Sequence, residues 1–585
     1  MAFGGRWSRA AIAAFIAALL YLPGLGTPAL WEPDEGRYGE IAREMIVSGD
    51  YITPRDNLVR YFEKPPLVYW AEAVSLHVFG ANEFAVRLPA ALSTVAEVAV
   101  TCVIGEAMFG PAAGLMAAMI LALCPLVFVL ARFATLDPAL AFFLTAAMGA
   151  FYFAASADFE GWAGRNWMLI ASALLALGTL AKGPVALILA GAIALVWILV
   201  EHRAGEIRRM PIVGCIAVYL AIASPWFVIA EMRNPGFLSF FFIHEHVQRF
   251  VSSQEHGWGP WFFIPIVLAG TWPWIFFTRA GLSAWREMPE PQRAATQSAL
   301  RLLAIWFVVI LVFFSIPRSK LGSYILPALP PIAIVSGLAL SRLGAMGERA
   351  ARLLGFFAVT NLLLEAIAIV VLVVIRGKIG FRLEFDGIMI ASVVSTGAIV
   401  AWLFSLETPR RVPAFTAIAA AMVIVSWIGQ RVRINAGADT TYRVLASQVR
   451  GYSGCVLASY RHFEQSLPFY TGQREVLVEY WGELAPFVQS PDERAGFIGT
   501  EARLRQLWAS ERCVVMIANR KDLKDLFKIL SPVPRMVGCE GKKVALYNRE
   551  GATTPSGCAP IDTNSASVSL WSSQQTALGF TADGR

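Results

Sequence analysis

The side chains able to do chemistry gather in six short groups. These are Trp31-Glu32-Pro33-Asp34-Glu35-Gly36-Arg37-Tyr38, Tyr61-Phe62-Glu63-Lys64-Pro65-Pro66, Leu136-Asp137-Pro138, Ala181-Lys182-Gly183-Pro184, His244-Glu245-His246 with Arg249, and Arg318-Ser319-Lys320-Leu321-Gly322-Ser323-Tyr324. Adjacent carboxylates such as Asp34 and Glu35 offer a base or a cation site. A carboxylate and an imidazole, Glu63 with His244, suit a divalent cation, while lysines and arginines neutralise phosphate oxygens. Two prolines after Lys64 favour an extended backbone, so Glu63 and Lys64 point in opposite directions. Together these types fit a phosphate-bearing lipid substrate.

Each group also has a purely structural reading. Asp34 and Glu35 suit the start of a helix near Gly36, where acids favour the helix dipole. Asp137-Pro138 has the pattern of an N-cap followed by proline at the first helical position. Lys182-Gly183-Pro184 has the composition of a break between two spans. His244 and His246 face opposite sides on a strand or a helix and do not chelate one ion together.

The elements that must position these groups are membrane spans. The chain of 585 residues is 57% hydrophobic and 16% charged, against about a quarter charged in a soluble domain. A soluble protein is excluded, because the apolar residues form long blocks between short charged loops. The formal charge of +7 is spread singly over those loops and forms no nucleic-acid stripe; lipid phosphates and an orientation signal account for it better. Runs of span length fall at 9–26, 84–108, 111–131, 137–156, 165–181, 183–201, 209–230, 259–277, 300–317, 324–341, 351–375, 386–405 and 411–428. The first run, behind Arg6 and Arg9, reads as an anchor rather than a cleaved signal peptide, since later spans need a first insertion.

With the N-terminus in the cytoplasm, thirteen spans put the C-terminus outside. Inner loops then hold Arg203, Arg208 and Arg209; Arg279, Arg286, Arg293 and Arg301; Arg342, Arg349 and Arg352; and Arg410 and Arg411, as the positive-inside rule asks. The first outer loop, 27–83, departs from the rule with Arg37, Arg43, Arg55, Arg60 and Lys64, alongside many acids. Loops of that length are usually functional. All six chemical groups fall at the outer side.

The expected domains are a membrane part at 1–429, an outer α/β domain at 430–550 and a disordered Ser/Thr/Ala/Gly-rich tail at 551–585. In the outer domain, 444–450 and 501–509 have helical patterns, and 455–460, 475–480, 513–518 and 544–547 those of strands. Cys455, Cys513, Cys539 and Cys558 lie in the outer part. Disulfides are permitted there, but three complete pairings remain open, and no CxxC spacing argues for zinc. Cys102, Cys124 and Cys215 lie in spans as small apolar side chains.

The groups at 31–38 and 61–67, with Ile41-Ala42-Arg43-Glu44-Met45 between them, closely resemble the first periplasmic loop of ArnT-type lipid A aminoarabinose transferases. That family belongs to the GT-C glycosyltransferases, which also include the protein O-mannosyltransferases. The resemblance continues in order through Leu136-Asp137-Pro138, Ala181-Lys182-Gly183-Pro184, Phe242-Ile243-His244-Glu245-His246 and Ser319-Lys320-Leu321, and more weakly into the outer domain. It implies a polytopic α-helical protein of GT-C fold with about thirteen transmembrane helices and a small C-terminal periplasmic α/β domain, placed in the bacterial inner membrane with its active site on the periplasmic side.

The implied reaction is inverting transfer of a sugar from an undecaprenyl phosphate carrier to lipid A or a related envelope acceptor. Matched residue by residue, Asp34 is the acid at the reaction centre, and Glu35, Lys64, Asp137, Lys182 and Arg249 join it as catalytic groups. Arg37, Tyr38, Tyr61, Arg318, Lys320 and Tyr324 bind substrate. Glu63 and His244 hold a divalent metal ion, zinc among the candidates. The expected partners are the undecaprenyl phosphate-linked donor, the lipid A or other acceptor and membrane lipids, with no nucleic acid, and the expected state is a monomer. One position departs from the family pattern: Gly36 stands where alanine is expected, a change that should loosen a helix turn by about 1 kcal/mol and leave the chemistry alone.

Three other readings compete. A related GT-C enzyme with another sugar or a protein or glycan acceptor shares these motifs. A transporter or flippase would show paired repeats and broken helices at mid-membrane; the sequence has no visible repeat and no evident central charges. A scaffold with an outer binding domain leaves the gathered acids and bases unexplained.

Overall fold

The computed structural model of the chain describes residues 2–248, 258–343, 348–407, 411–437, 441–550 and 558. It divides into two compact units, one of Met1–Leu25, Glu63–Val68 and Leu88–Arg431, the other of Gly26–Phe62, Tyr69–Arg87 and Val432–Arg585.

The first unit is a helical bundle of membrane-spanning type. Among the described residues, eight helices are long and apolar enough to cross a bilayer: Glu83–Phe109, Asp137–Ser156, Ile212–Arg233, Glu290–Ser315, Gly322–Ser341, Glu348–Val371, Asp386–Leu406 and Pro413–Arg431. A ninth comes from Pro111–Ala122 and Pro125–Ala131, bent by 64° at a proline that cannot continue the hydrogen-bond ladder. The thirteen runs of the sequence therefore overstate the straight spans, because apolarity does not register breaks. The run at 183–201 yields Val185–Val200, 16 residues or about 24 Å, short of a ~30 Å hydrocarbon core. The run at 259–277 divides into a turn at Pro260–Phe262, a helix Phe263–Gly270 and the start of Phe276–Arg286. Those at 9–26 and 165–181 form the helices Ala2–Tyr21 and Trp162–Lys182. Runs 351–375 and 386–405 lie side by side, with the Ser392 hydroxyl donating to Glu365 at 2.7 Å.

Close approach of small residues holds this bundle together, as expected where lipid removes the hydrophobic drive between helices. A Cβ on Gly114 would sit 2.5 Å from the Cys102 carbonyl oxygen, so no larger residue fits there. Some of the polar groups inside are firmly held. Arg132 donates to the Tyr21 and Pro23 carbonyls at 2.6 and 2.7 Å and to Gln430 at 3.2 Å. The expectation of no central charge fails at Glu97, which is fully buried within Glu83–Phe109 and accepts from the Thr145 hydroxyl at 3.2 Å.

In the second unit a ribbon of β1 (Arg55–Asp56) and β2 (Val59–Arg60) belongs to the first outer loop. The C-terminal region builds a six-stranded mixed sheet from β3 (Val456–Tyr460), β4 (Glu475–Val478), β5 (Phe497–Ile498), β6 (Val514–Asn519), β7 (Arg535–Glu540) and β8 (Lys543–Tyr547), in the order β5-β4-β3-β6-β8-β7. Neighbours among β5, β4, β3 and β6 run parallel, and β8 closes antiparallel on both β6 and β7. The near-continuous apolar strands 456–460 and 514–519 are those buried on both faces, which parallel strands require. The sequence patterns miss β5, only two residues long, and β7, whose Gly538 and Cys539 interrupt alternation.

Register also settles the cysteines. Val456 pairs with Val514, which puts Cys455 and Cys513 one residue earlier on neighbouring strands with Cα atoms 4.7 Å apart; they form one disulfide, and Cys539 with Cys558 the other. The first closes a span of 58 residues, for which chain entropy predicts about 4 kcal/mol of stabilisation. Replacing Cys455 and Cys513 together by serine in the full chain should lower the thermal unfolding midpoint of the C-terminal domain and speed proteolysis within 441–550. An unchanged midpoint would show that the sheet holds without the link.

Candidate functional site

The first motif begins a helix, Asp34–Ser48, with Asp34 and Glu35 in its first turn where the dipole favours them. The helix starts two residues before the expected Gly36. The two adjacent carboxylates then separate in role. Glu35 is fully buried and places its oxygens on Arg87, 2.7 Å from Nε and 2.6 Å from Nη2, while also accepting from the Trp31 amide at 3.1 Å. Arg87 in turn donates to the Pro28 and Ala29 carbonyls at 2.6 and 2.8 Å. The Asp34 side chain is 38% exposed. Of the pair, Asp34 is the accessible one, while Glu35, expected from sequence among the catalytic groups, is buried and anchors the loop through Arg87.

One helical turn on, Arg37 is buried and collects several partners. Its Nη1 donates to the Tyr61 hydroxyl at 3.0 Å and lies 3.9 Å from Asp34, and its Nη2 is 2.6 Å from Glu483. Phe487 packs on Tyr61 and Phe62 with ring centroids 5.8 and 6.4 Å apart, and Tyr38 packs on Tyr69 at 5.7 Å. Asp56 is fully buried; burial pushes its carboxyl well up, with Arg37 opposing the shift.

The same turn is seated on the C-terminal region. Glu32 accepts from the Ser466 amide at 2.8 Å; burial, then Glu464, pushes its carboxyl up to about 8 against the Ser466 contacts. Gly36 faces the backbone of Gln465 and Ser466 so closely that a Cβ would lie 2.4 Å from the Ser466 nitrogen. The departure at this position is therefore also a packing requirement of this chain, in addition to the looser helix turn expected of glycine.

In the membrane unit, Asp137 and Lys182 stand at the first turn of one helix and the last turn of its neighbour, ends that suit an acid and a base respectively. Asp137 does not cap: the cap position falls on Leu136, and the Asp137 carboxylate accepts from the Lys182 ammonium. That ammonium also lies 4.6 Å from the centre of the Tyr324 ring. A second group is linear, with Lys64 Nζ 3.7 Å from Glu245 and Glu245 3.7 Å from His244 Nδ1. Lys320 is buried and donates to the carbonyls of Trp258, at 3.0 Å, and Pro317, while Arg318 is exposed. Glu63 is half-buried. Arg249 lies outside the described residues.

The structure thus joins Asp34, Arg37 and Tyr61 in one cluster, Asp137, Lys182 and Tyr324 in a second, and Lys64 with His244 through Glu245 in a third. No group of three acidic, imidazole or thiol side chains placed to hold a metal ion occurs among the described residues, so Glu63 and His244 alone fall short of the three or four protein ligands usual for zinc. Arg87, Glu483 and Ser466 escaped the sequence reading, since they lie far along the chain from the motif they support. Glu245 stood inside a recognised motif but carried no assigned role.

Residues 7–241 match the family described as dolichyl-phosphate-mannose-protein mannosyltransferase, and residues 445–548 match the aminoarabinose transferase C-terminal domain. An undecaprenyl phosphate-alpha-4-amino-4-deoxy-L-arabinose arabinosyl transferase of Pseudomonas fluorescens is 32% identical over 71% of this chain and 71% of its own. One from Erwinia tasmaniensis is 28% identical over 91% and 97%. The crystal structure of ArnT from Cupriavidus metallidurans bound to undecaprenyl phosphate superposes with a TM-score of 0.83 at 28% identity, over 93% of this chain and 99% of that one.

The contact at Gly36 yields a direct test. Gly36→Ala should destabilise the protein by about 1–3 kcal/mol, as overpacking does, and reduce activity through displacement of the adjacent Asp34 turn. A variant with unchanged unfolding midpoint and activity would show that Gln465 and Ser466 yield freely.

Proposed function

Because the chain belongs to the family of undecaprenyl phosphate-4-amino-4-deoxy-L-arabinose arabinosyl transferases, we propose that it moves an aminoarabinose-like sugar from an undecaprenyl phosphate carrier to lipid A or a related envelope acceptor at the periplasmic face of the bacterial inner membrane. The observation that supports this reading is that residues of the motifs carrying the resemblance stand in the ionic clusters just described: the accessible Asp34 beside Arg37, and the Asp137–Lys182 pair beside Tyr324.

The chemistry follows from the leaving group. Transfer breaks the bond between the anomeric carbon and the bridging oxygen, and the electron pair leaves with the lipid phosphate. That group needs neutralisation of charge more than a proton, so preorganised cations supply most of the help. Arg37, Lys64, Lys182 and Arg249 are the cations assigned to it, with Tyr38, Tyr61, Arg318, Lys320 and Tyr324 as further contacts. Asp137 holds the Lys182 ammonium in place. An acceptor phosphate is already a nucleophile at neutral pH, and Asp34 then orients it or balances charge; toward a hydroxyl acceptor Asp34 is the general base. Direct displacement inverts the anomeric centre. A divalent cation, if resident, would be held by Glu63 and His244 with the remaining ligands from outside the protein, and would add Lewis-acid stabilisation of phosphate oxygens. Glu35 takes no part in the reaction. The protein acts as a monomer in this scheme.

Asp34→Ala and Glu63→Ala should each abolish transfer with the inserted protein retained at normal level; near-normal activity in either would overturn that residue's assignment. Metal analysis of the purified protein decides the cation: a divalent ion whose content falls in His244→Ala would keep Glu63 and His244 as its ligands, and a metal-free, fully active enzyme would remove it from the scheme. Mass spectrometry of lipid A and envelope glycans from cells with and without the gene tests the acceptor. Loss of an aminoarabinose mass from lipid A is expected. An unchanged lipid A with an altered glycan elsewhere would redirect the reading to another GT-C transferase, and an uptake defect with no glycan change would favour transport.

A further inference from the structure

Arg37 comes from the first outer loop, yet one of its closest partners, Glu483, comes from the C-terminal domain 446 positions further on. The segment Gly482–Phe487 that carries it is firmly placed. Trp481, just before it, stacks on Phe497 with centroids 4.7 Å apart and planes 5° from parallel, which ties the segment to β5. Leu484 is buried, and Phe487 packs on both Tyr61 and Phe62. This short segment therefore touches Arg37, Tyr61 and Phe62 in turn.

The charges around Arg37 explain why a carboxylate is needed there. One of the loop's own acids faces the guanidinium: Asp34 lies 3.9 Å from Nη1. A buried guanidinium keeps whichever charged partners are in reach. Glu483 at 2.6 Å from Nη2 and the Tyr61 hydroxyl at 3.0 Å from Nη1 fix its plane from two sides. Asp34 thus lies on the Nη1 side of the guanidinium and Glu483 on its Nη2 side.

We infer that Glu483 is a positioning residue for the transfer reaction: the C-terminal domain reaches the donor site's arginine through it and sets the orientation in which Arg37 receives the carrier phosphate. This assigns the C-terminal domain a part in donor recognition, and it rests on Arg37 being a ligand of that phosphate.

The test uses the full chain in lipid nanodiscs with undecaprenyl phosphate-linked aminoarabinose as donor. Glu483→Ala should raise the donor KM about tenfold or more, with the acceptor KM within twofold and kcat within threefold of the parent. Glu483→Gln, which keeps the shape and a neutral acceptor, should fall between. In an Arg37→Ala background, Glu483→Ala should add nothing further, because the two act through one contact. A donor KM unchanged in Glu483→Ala and Glu483→Gln, or an effect that adds in full to that of Arg37→Ala, would overturn the inference. A fall in kcat alone would also overturn it, as the mark of a merely structural role. Should Glu483→Ala fail to fold, the isosteric Glu483→Gln carries the same reading. If Arg37→Ala itself leaves the donor KM untouched, the assignment of Arg37 to the phosphate fails, a result distinct from failure at Glu483 alone.

Discussion

The buried pair of Arg87 and Glu35 is the contact on which the reactive loop depends. Both side chains are excluded from solvent, their bond is two-pronged, and Arg87 also takes the carbonyls of Pro28 and Ala29. Such a pair is stable only with its geometry complete; removal of one partner strands a charge in a low-dielectric interior at a cost of about 3–5 kcal/mol. The chain entering the helix at Asp34 is therefore held on its inner side by Glu35 and on its other side by Glu32 and Gly36 against Ser466. Asp34 is left as the exposed acid of the turn because its neighbours are committed.

The same constraint orders the membrane unit. Charges there are few, and those that are buried meet a partner that fixes direction: Arg132 on two carbonyls, Asp137 on Lys182, Glu97 on Thr145. A lipid phosphate brings its own charge to such a surface, and fixed cations receive it without the reorganisation that water would need. The ionic clusters are thus both what the fold can tolerate near lipid and what a phosphate leaving group requires.

Much of this was legible in the sequence, and what was not has a physical reason. Asp34, Arg37, Asp137 and Lys182 stood out because ionisable residues are rare in so apolar a chain and sit in short, punctuated motifs. The spans at 137–156 and 386–405 were legible because uninterrupted apolarity of the right length has one reading. The stretch at 259–277 misled because hydropathy is blind to the breaks around Pro273, and Asp137-Pro138 because a cap and an ion pair share one local pattern. Glu483, Arg87 and Ser466 gave no sign at all: each acts across tens to hundreds of residues, and local spacing carries no record of such contacts. Glu35 and Asp34 looked equivalent in sequence, and only burial divides them.

The central claim is that this arrangement cleaves a lipid phosphate-linked sugar and passes the sugar on. The most direct measurement is a single-turnover reaction of the purified chain in nanodiscs with undecaprenyl phosphate-linked aminoarabinose and lipid A, both lipids followed by chromatography and mass spectrometry. The account predicts release of undecaprenyl phosphate in step with appearance of the sugar on lipid A, joined with inverted anomeric configuration. Intact donor after many enzyme equivalents of time, or donor moved across the bilayer without cleavage, would contradict it.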